Sequence, residues 1–386
     1  MNYIQKQYPE LNVTVEIAIV EPLNKVKEMQ VIMQLNKPAG SFDEQLQSFR
    51  TALVQVLTER ELQHASVLSA RWFLTDPANQ QVQISEEMAD ILDCPVCYIR
   101  QPLLDGSKMA LWMQFHTDMK VGNDGLSFHE HNNYRHYFTT DNYVNESSES
   151  KNSCEQTKYL LEGYERQLQE RDCNIERDCV RTWFFVRDVD VNYQGVVEAR
   201  KANFRQNGLT ENTHYIASTG IEGSVGDPEV KVVMDAYAIK GLDEGQVKFL
   251  YAKDYLSSTY DYGVTFERGV SLDFGDRRKV YISGTASINH EGIILHRGDI
   301  KKQVYRMWEN VEALLHEAEC SFQDLMQIIV YLRDIADYQC VKNMFDDKFA
   351  DVPKLIVLAP ICRPGWLVEM ECIAAKPVIN KNYRDF

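Results

Sequence analysis

The chain has 386 residues, which is too long for one ordinary domain and predicts two or three. Its 57 acidic and 41 basic side chains give a formal charge of −16 at pH 7. That negative field repels nucleic acid, and no basic stripe interleaved with aromatic residues opposes it, so we expect no nucleic-acid partner. An anionic ligand would need a few placed arginines to hold it against this background.

The first residues of the chain show no basic segment followed by an apolar core, the pattern of a signal peptide. No uninterrupted apolar stretch is long enough to cross a bilayer. We therefore expect a cytoplasmic protein with no membrane partner. Its nine cysteines are expected to be reduced thiols in that compartment.

One pattern occurs three times along the chain: an aromatic and β-branched strand that ends in an aspartate. Such a composition is typical of a half-buried strand, and the aspartate is suited to turn the chain and cap a following helix. The three copies are ARWFLTD (70–76), RTWFFVRD (181–188) and IIVYLRD (328–334).

Each copy has an amphipathic helix before it, and a second helix and two strands after it. The preceding helices have their apolar residues on one face. They are predicted at Gln45–Thr58, Tyr159–Gln169 and Val304–Leu315, and the closing strands at 109–115, 232–240 and 368–376. The pattern predicts an α/β (α+β) protein made of three copies of one unit.

The predicted repeats span residues 10–118, 128–242 and 262–378. The polar, serine-rich segment Asn145–Glu155 is expected to be a linker inside the second repeat. Residues 128–144, just before it, are not readily interpreted as strands.

The third repeat resembles the Rid/YjgF superfamily over its whole length. The resemblance is carried by Ser283-Gly284 at a strand end, the helix at 299–315, the strand and aspartate at 330–334, and the closing strand at 368–374. Members of that superfamily are compact α/β units that form trimers with clefts at the subunit interfaces. Three such repeats in one chain imply a covalent pseudo-trimer whose clefts are free to differ.

Two segments resemble the chorismatases, the 3-hydroxybenzoate synthase and chorismate hydrolase family. ISGTASI (282–288), followed by His296, is similar to their SGTASI…H segment, and CRPGWLVEME (362–371) resembles their CRxxLLVEIE segment. Phe266-Glu267-Arg268 resembles the F-x-R that supplies a substrate-binding arginine. The similarity extends from about residue 180 to 378. It implies cofactor-free release of pyruvate from chorismate or a related enolpyruvyl compound.

The sequence departs from these families at two places. Rid deaminases hold the substrate carboxylate with an arginine at a position that here is Lys354, which offers a point charge instead of a bidentate fork. Residues 251–262 lack the additional arginine expected before the F-x-R, and only Lys253 is available there as a substitute.

Glu369 and Glu371 lie on one face of the last predicted strand, because side chains alternate along a strand. That face is either solvated, as acidic residues usually are, or it lines a polar cleft. In a cleft, burial and the neighbouring charge would raise the pKa of a carboxyl group and make it a proton donor near pH 7. The resemblance favours Glu369 as the catalytic acid and Glu371 as the neighbour that tunes it.

Arginines are suited to bind a dicarboxylate because their guanidinium fork matches a carboxylate, although for either arginine taken alone a surface ion pair is the commoner role in a protein this acidic. The small residues at 283–286 allow close approach of a ligand, as they also would in an ordinary turn. The predicted substrate-contacting residues are Arg268, Arg363, Ser283, Gly284, Thr285, Ala286, Cys362 and Glu371. Cys362 is expected to shape the cavity.

Two further clusters have the residue types of a metal or redox site. Cys94 and Cys97 form an isolated CxxC, and His129, His131 and His136 lie close together in sequence. Neither cluster has companion residues at a defining spacing, so we expect no metal. No phosphate-binding glycine loop is present, and no cofactor is predicted.

The leading hypothesis is an enzyme in which Glu369 protonates the enolpyruvyl group of a small anionic substrate bound by Arg268. The alternatives are a Rid-like enamine or imine deaminase and a non-catalytic protein that binds a small metabolite. Fold resemblance alone does not separate them, because function depends on the site. We expect a monomeric pseudo-trimer or a low-order homo-oligomer.

Overall fold

The computed structural model describes residues 1–22, 26–59, 61–62, 64–142 and 152–386. No helix in these ranges combines the length and apolarity needed to cross a membrane. Three six-stranded sheets, each with two helices, follow one another along the chain.

The first unit contains the strands β1 (Asn2–Tyr8), β2 (Val13–Val20), β3 (Glu28–Leu35), β4 (Ala65–Leu74), β5 (Val96–Arg100) and β6 (Met109–Thr117), and the helices α1 (Phe42–Leu57) and α2 (Pro77–Met88). Helix α1 begins with a capping box in which Ser41 and Glu44 bind each other's backbone N–H groups.

The second unit contains β7 (Lys120–Asn123), β8 (Ser127–His131), β9 (Tyr134–Asn142), β10 (Cys179–Val186), β11 (Ala217–Glu222) and β12 (Val232–Lys240), and the helices α3 (Ser153–Gln169) and α4 (Val189–Gln206). A capping box between Asn152 and Glu155 starts α3. The predicted linker is therefore wrong at its end, because residues 152–155 begin a helix, while 145–151 lie outside the described residues.

The third unit contains β13 (Val247–Leu250), β14 (Gly269–Asp273), β15 (Arg277–Ala286), β16 (Leu325–Leu332), β17 (Lys354–Leu358) and β18 (Val368–Pro377), and the helices α5 (Ile300–Glu317) and α6 (Tyr338–Lys348). Every residue of β16 is buried, which explains why its sequence is apolar apart from Gln327.

The three sheets share one topology. In each, three strands form an antiparallel meander, the sixth strand pairs with the third, and the fourth strand lies between the sixth and the fifth. The fourth and fifth strands are parallel in all three units. This identity of strand order confirms the predicted α+β class and the three copies of one unit.

Each sheet begins before the predicted repeat boundary, because the first strands are short or half-exposed and carry little apolar signal. The sheets start at Asn2, Lys120 and Val247, whereas the predicted repeats start at 10, 128 and 262. Residues 127–142, which were hard to interpret, form the hairpin of β8 and β9.

The capping role predicted for the three aspartates holds for one of them. Asp334 accepts the backbone N–H of Ala336 in a short 3₁₀ turn before α6. Asp76 and Asp188 occupy N-cap positions without a side-chain cap bond. Asp188 has a left-handed backbone (φ 49°), and Glu222 instead accepts the N–H groups at the start of α4, including that of Asp188 at 3.1 Å.

The inner faces of the three sheets meet in a common core, while helices cover the outer faces. Trp112, Trp183 and Tyr281 come from different units and are all buried in this core. The segments that follow the fifth strands also meet one another. Their backbone hydrogen bonds are Arg100 N to Ser224 O (2.7 Å), Glu222 N to Pro360 O (3.2 Å) and Leu358 N to Pro102 O (2.8 Å). Each unit thus contacts both others.

Three buried histidines from the first two units lie side by side. The ring centroid of His116 is 5.3 Å from that of His129 and 5.5 Å from that of His136. Burial lowers the pKa of His129 to about 4 and holds the pKa values of His116 and His136 well below the ordinary value. In the described part of the chain, no group of three metal-ligating residues is arranged to hold a metal ion, and all nine cysteines are free thiols.

We predict that this histidine cluster makes the fold acid-sensitive. Below about pH 6.5 these histidines are protonated in the unfolded chain but stay neutral in the folded protein. The free energy of unfolding therefore falls as the pH drops from 6.5 towards 5, by about 1.4 kcal/mol per pH unit for each such histidine. Urea unfolding should show a shallower loss for His129→Gln. His290→Gln, which alters an exposed histidine, is the control. Equal slopes for wild type and His129→Gln would contradict this prediction.

Candidate functional site

A cavity of ≈ 370 Å³ lies between the second and third units. Helix α4 and strand β11 of the second unit form one side. The segment before β14, strand β15, the loop before β18 and β18 itself form the other. Six of the residues predicted from the sequence line this cavity, namely Arg268, Gly284, Ala286, Cys362, Arg363 and Glu369.

Among the described residues that line the cavity, Glu369 is the only acidic one. It is 5% exposed, and its burial raises the pKa of the carboxyl group to about 8. The charge of Glu371 raises this pKa further, while Arg268 and Arg181 oppose the shift. Glu369 is therefore mostly protonated at pH 7 and is able to donate a proton.

Gly284 leaves the space that the Glu369 carboxyl occupies. A Cβ atom built on Gly284 would overlap the Oε1 atom of Glu369 and would lie 3.1 Å from Cγ2 of Thr219. Its φ is not in the left-handed region, so glycine is needed here for its missing side chain. The backbone N–H of Gly284 donates to Thr219 Oγ1 at 2.9 Å, which ties strand β15 to strand β11.

Glu371 does not line the cavity, because its carboxylate is held by protein groups of the second unit. Arg181 Nη2 lies 2.8 Å from Glu371 Oε2, the Trp183 indole N–H donates to Oε1 at 2.9 Å, and the Thr219 hydroxyl donates to Oε2 at 2.5 Å. All four side chains are buried. Glu371 is thus placed as a charged neighbour of Glu369, and the expectation that it touches substrate is corrected.

Ser283 and Thr285 also lie away from the cavity lining, because alternation along β15 turns them from the face that carries Gly284 and Ala286. The Ser283 hydroxyl donates to Glu267 O at 2.6 Å and accepts the N–H of Ser218 at 2.9 Å. The Thr285 hydroxyl donates to the backbone within its own strand. Both are structural contacts, and neither supports the expected contact with a substrate.

Three of the predicted cavity residues, Arg268, Arg363 and Cys362, provide charge and shape. Arg268 is buried, and its Nη2 donates to the backbone oxygen of Ser257 at 3.0 Å. The Arg363 guanidinium carbon lies 5.1 Å from the centre of the Trp366 ring. Burial and the nearby Glu369 raise the pKa of the Cys362 thiol to about 12, so the thiol stays protonated and shapes the wall.

Sequence reasoning missed the contribution of the second unit. Arg200 on α4 lines the cavity and is buried, with its Nε donating to Thr265 Oγ1 at 3.2 Å. Tyr193, two helical turns earlier on α4, also lines the cavity. Lys253, the expected substitute for a missing arginine, is exposed and does not line the cavity. Spacing on α4 was the available signal, since Tyr193, Val197 and Arg200 share one helical face.

The first two units have no carboxyl group at the position of Glu369. The residues that lie three before Asp76, Asp188 and Asp334 pair with Ala110, Val233 and Glu369 on the closing strands. Ala110 and Val233 are both buried. The proton donor is therefore present in one of the three equivalent positions.

Lys354 lies at the boundary between the third and first units and does not line the cavity. Its Nζ donates to Phe349 O at 3.1 Å and lies 3.5 Å from Asp346 Oδ1, while its backbone N–H donates to Glu16 at 3.3 Å. The strand registers place Ser218 of the second unit at the position equivalent to Lys354. The cavity thus has a hydroxyl where the Rid deaminase pattern has an arginine.

Comparisons with known proteins concentrate on the third unit. Residues 271–376 match the family model described as Endoribonuclease L-PSP. A RutC family protein of Pyrococcus abyssi (strain GE5 / Orsay) is 32% identical over 99 residues, which are 25% of this chain and 78% of that relative. The 3-aminoacrylate deaminase RutC of Acinetobacter baylyi (strain ATCC 33305 / BD413 / ADP1) is 26% identical over 97 residues, 25% of this chain and 77% of that relative.

One solved structure extends the likeness to most of the molecule. The crystal structure of a chorismatase superposes with a TM-score of 0.60, covers 80% of this chain and 93% of its own, and is 15% identical in sequence. At this identity the match establishes a shared fold across all three units.

We predict that Glu371→Gln destabilises the protein, because it leaves Arg181 as an unpaired buried charge. Breaking a buried pair from one side costs about 3–5 kcal/mol, to be measured by urea unfolding at pH 7.5. The matched control is Glu369→Gln on the same strand, which removes a carboxyl group that burial already keeps neutral and should cost far less. A Glu371→Gln variant as stable as Glu369→Gln would show that the Arg181 contact contributes little.

Proposed function

The chain belongs to the Rid/YjgF (L-PSP) family, and on that premise we propose that it releases pyruvate from chorismate or a related enolpyruvyl compound by general-acid catalysis. The observation that carries this proposal is the buried Glu369 carboxyl, whose pKa of about 8 keeps a transferable proton at the cavity near neutral pH. The motif resemblance at 282–288 and 362–371 supports the same residue in the same role.

In the proposed reaction, Glu369 transfers its proton to the terminal methylene carbon of the enol ether. The π electrons form the new C–H bond, and positive charge develops on the carbon that carries the ether oxygen. Water adds to that carbon and gives up a proton to the Glu369 carboxylate. The hemiketal then collapses: its hydroxyl group loses a proton, the ring oxygen gains one, and the bond between that oxygen and the hemiketal carbon breaks, so pyruvate and the ring alcohol are released. No cofactor is required, because the substrate supplies the electrons.

Arg268 is proposed to bind the carboxylate that neighbours the reacting carbon. Arg268 and Glu369 line the same cavity, and the charge of the guanidinium partly opposes the rise in the pKa of Glu369. Arg268 and Glu369 are both buried, so an ion pair between Arg268 and the substrate carboxylate would be little screened by solvent. Closing the cavity around the substrate also limits the access of bulk water to the cationic intermediate.

Hydrolysis of enamines or imines is less well supported, although one relative is named a 3-aminoacrylate deaminase. The lysine at the deaminase arginine position is paired with Asp346 outside the cavity. The equivalent residue of the second unit is Ser218, which carries no charge. A protein that only binds a metabolite is the remaining alternative, and absence of turnover with retained binding would favour it.

We predict that Glu369→Gln lowers kcat for pyruvate release by ~10²–10⁴, the usual contribution of a positioned acid. Glutamine keeps the shape and one hydrogen-bond donor but has no transferable proton. A coupled lactate dehydrogenase assay measures the rate, and thermal unfolding at the same pH verifies that the variant is folded. Near-normal turnover by folded Glu369→Gln would rule out the proposed mechanism.

We further predict that turnover declines on the alkaline side with an apparent pKa near 8. Glu369 must be protonated to act, so raising the pH through its pKa removes the acid. The contribution of Glu369 to the free energy of unfolding also falls as the pH rises. The folded protein holds a proton that the unfolded chain loses above about pH 4.5, so stability contributed by this site decreases from pH 5 to 8. A flat rate profile between pH 6 and 9.5 would argue against Glu369 as the donor.

A further inference from the structure

The most buried arginines of this acidic protein are paired with carboxylates, with Arg200 as the exception. Within the described part of the chain no ion pair joins Arg200 to an acidic residue, although it is only 1% exposed. Its hydrogen-bond partners are neutral hydroxyls, Thr265 Oγ1 at 3.2 Å and Ser218 Oγ at 3.4 Å. The paired arginines are Arg71 with Asp235 (2.6 Å), Arg181 with Glu371 (2.8 Å) and Arg277 with Asp276 (3.0 Å).

One nitrogen of Arg200 has no hydrogen-bond partner among the described residues. Nη2 is buried and donates no hydrogen bond to any described residue. Two aromatic rings contact the guanidinium, with its central carbon 5.5 Å from the centre of Phe184 and 5.9 Å from that of Phe266. Such contacts stabilise a cation only in part, and an unpaired buried charge is costly. An anion that enters the cavity would satisfy both the charge and the unused donor.

Arg200 and Arg268 approach the cavity from different units. The guanidinium carbon of Arg268 lies 5.4 Å from the centre of Phe266, the same ring that Arg200 contacts. Arg363 adds a third positive charge to the lining, and Glu369 is the only acid among the described lining residues. Because burial keeps Glu369 mostly neutral at pH 7, the cavity has an excess of positive charge in a chain of net charge −16.

We propose that Arg200 binds a second carboxylate, so that the cavity binds a small cyclic dicarboxylate. Arg200 of the second unit would hold one carboxylate and Arg268 of the third unit the other. This assignment rests on the proposed function only for the role of Arg268 as the first carboxylate ligand. Arg200 thus supplies, from helix α4, the second cation in place of the additional arginine that residues 251–262 lack. The preference for a dianion follows from the charge balance of the cavity.

The test compares two stable ligands by isothermal titration calorimetry, 3-(carboxymethyl)benzoate as the dicarboxylate and 3-methylbenzoate as the matched monocarboxylate. Wild type should bind the dicarboxylate more tightly. Arg200→Gln should weaken dicarboxylate binding by ~10–100-fold, the usual value of a charge-assisted hydrogen bond, and leave the monocarboxylate nearly unchanged. Arg200→Lys should fall between them, because it keeps the charge and loses the fork. Equal losses for both ligands, or no loss for either, would overturn the proposal.

Thermal unfolding without ligand separates this role from a structural one. Arg200→Gln should unfold close to wild type, because it removes a charge that has no acidic partner. Arg181→Gln is the matched control and should unfold at a clearly lower temperature, because it leaves Glu371 buried and unpaired. An Arg200→Gln variant as destabilised as Arg181→Gln contradicts the proposal. Wild type that binds the dicarboxylate through Arg200 but releases no pyruvate from chorismate refutes the proposed function and leaves this inference standing.

Discussion

The buried ion pair between Arg181 and Glu371 joins the second and third units directly behind the cavity. It is completed by the Trp183 indole and the Thr219 hydroxyl, and Thr219 also accepts the backbone N–H of Gly284. Because these groups satisfy Glu371, a full negative charge is maintained beside Glu369 in a dry environment. The same contacts fix strand β15, on which Gly284 leaves room for the Glu369 carboxyl. The position of the acid therefore depends on one inter-unit contact, and the charge held there adds to the effect of burial in raising the pKa of Glu369.

Fusing three copies of a unit into one chain allows its three clefts to differ. The position of Glu369 is taken by Ala110 in the first unit and by Val233 in the second, and both are buried in apolar surroundings. At the boundary between the third and first units, the ammonium group of Lys354 pairs with Asp346, and its backbone N–H donates to the carboxylate of Glu16. The charges of Lys354 and Asp346 thus neutralise each other within the protein. In the cavity between the second and third units, by contrast, Arg200 forms no ion pair with any described acidic residue.

The sequence predicted those parts of the molecule that depend on local patterns. The strands before Asp76, Asp188 and Asp334 and the helices that precede them have strong apolar periodicity, and they occur where expected. Contacts between units were outside its reach, because they join residues that are far apart in the chain. The sequence allows Glu371 to be an exposed or a cleft-facing acid. Only the structure shows that it forms an ion pair with Arg181 across the boundary between the second and third units. Arg200 carries no motif, and the role proposed for it depends on its packing against Phe266 and on its lack of an ion pair with any described acidic residue.

The central claim is that a protein acid protonates the enolpyruvyl methylene carbon inside this cavity. The most direct measurement is to incubate the purified protein with chorismate in D₂O, reduce the released pyruvate at once with lactate dehydrogenase and NADH, and analyse the products by mass spectrometry. The account predicts lactate with one deuterium in its methyl group, together with the ring product that has lost the side chain. Recovery of unchanged chorismate, or of lactate without deuterium in the methyl group, would contradict it.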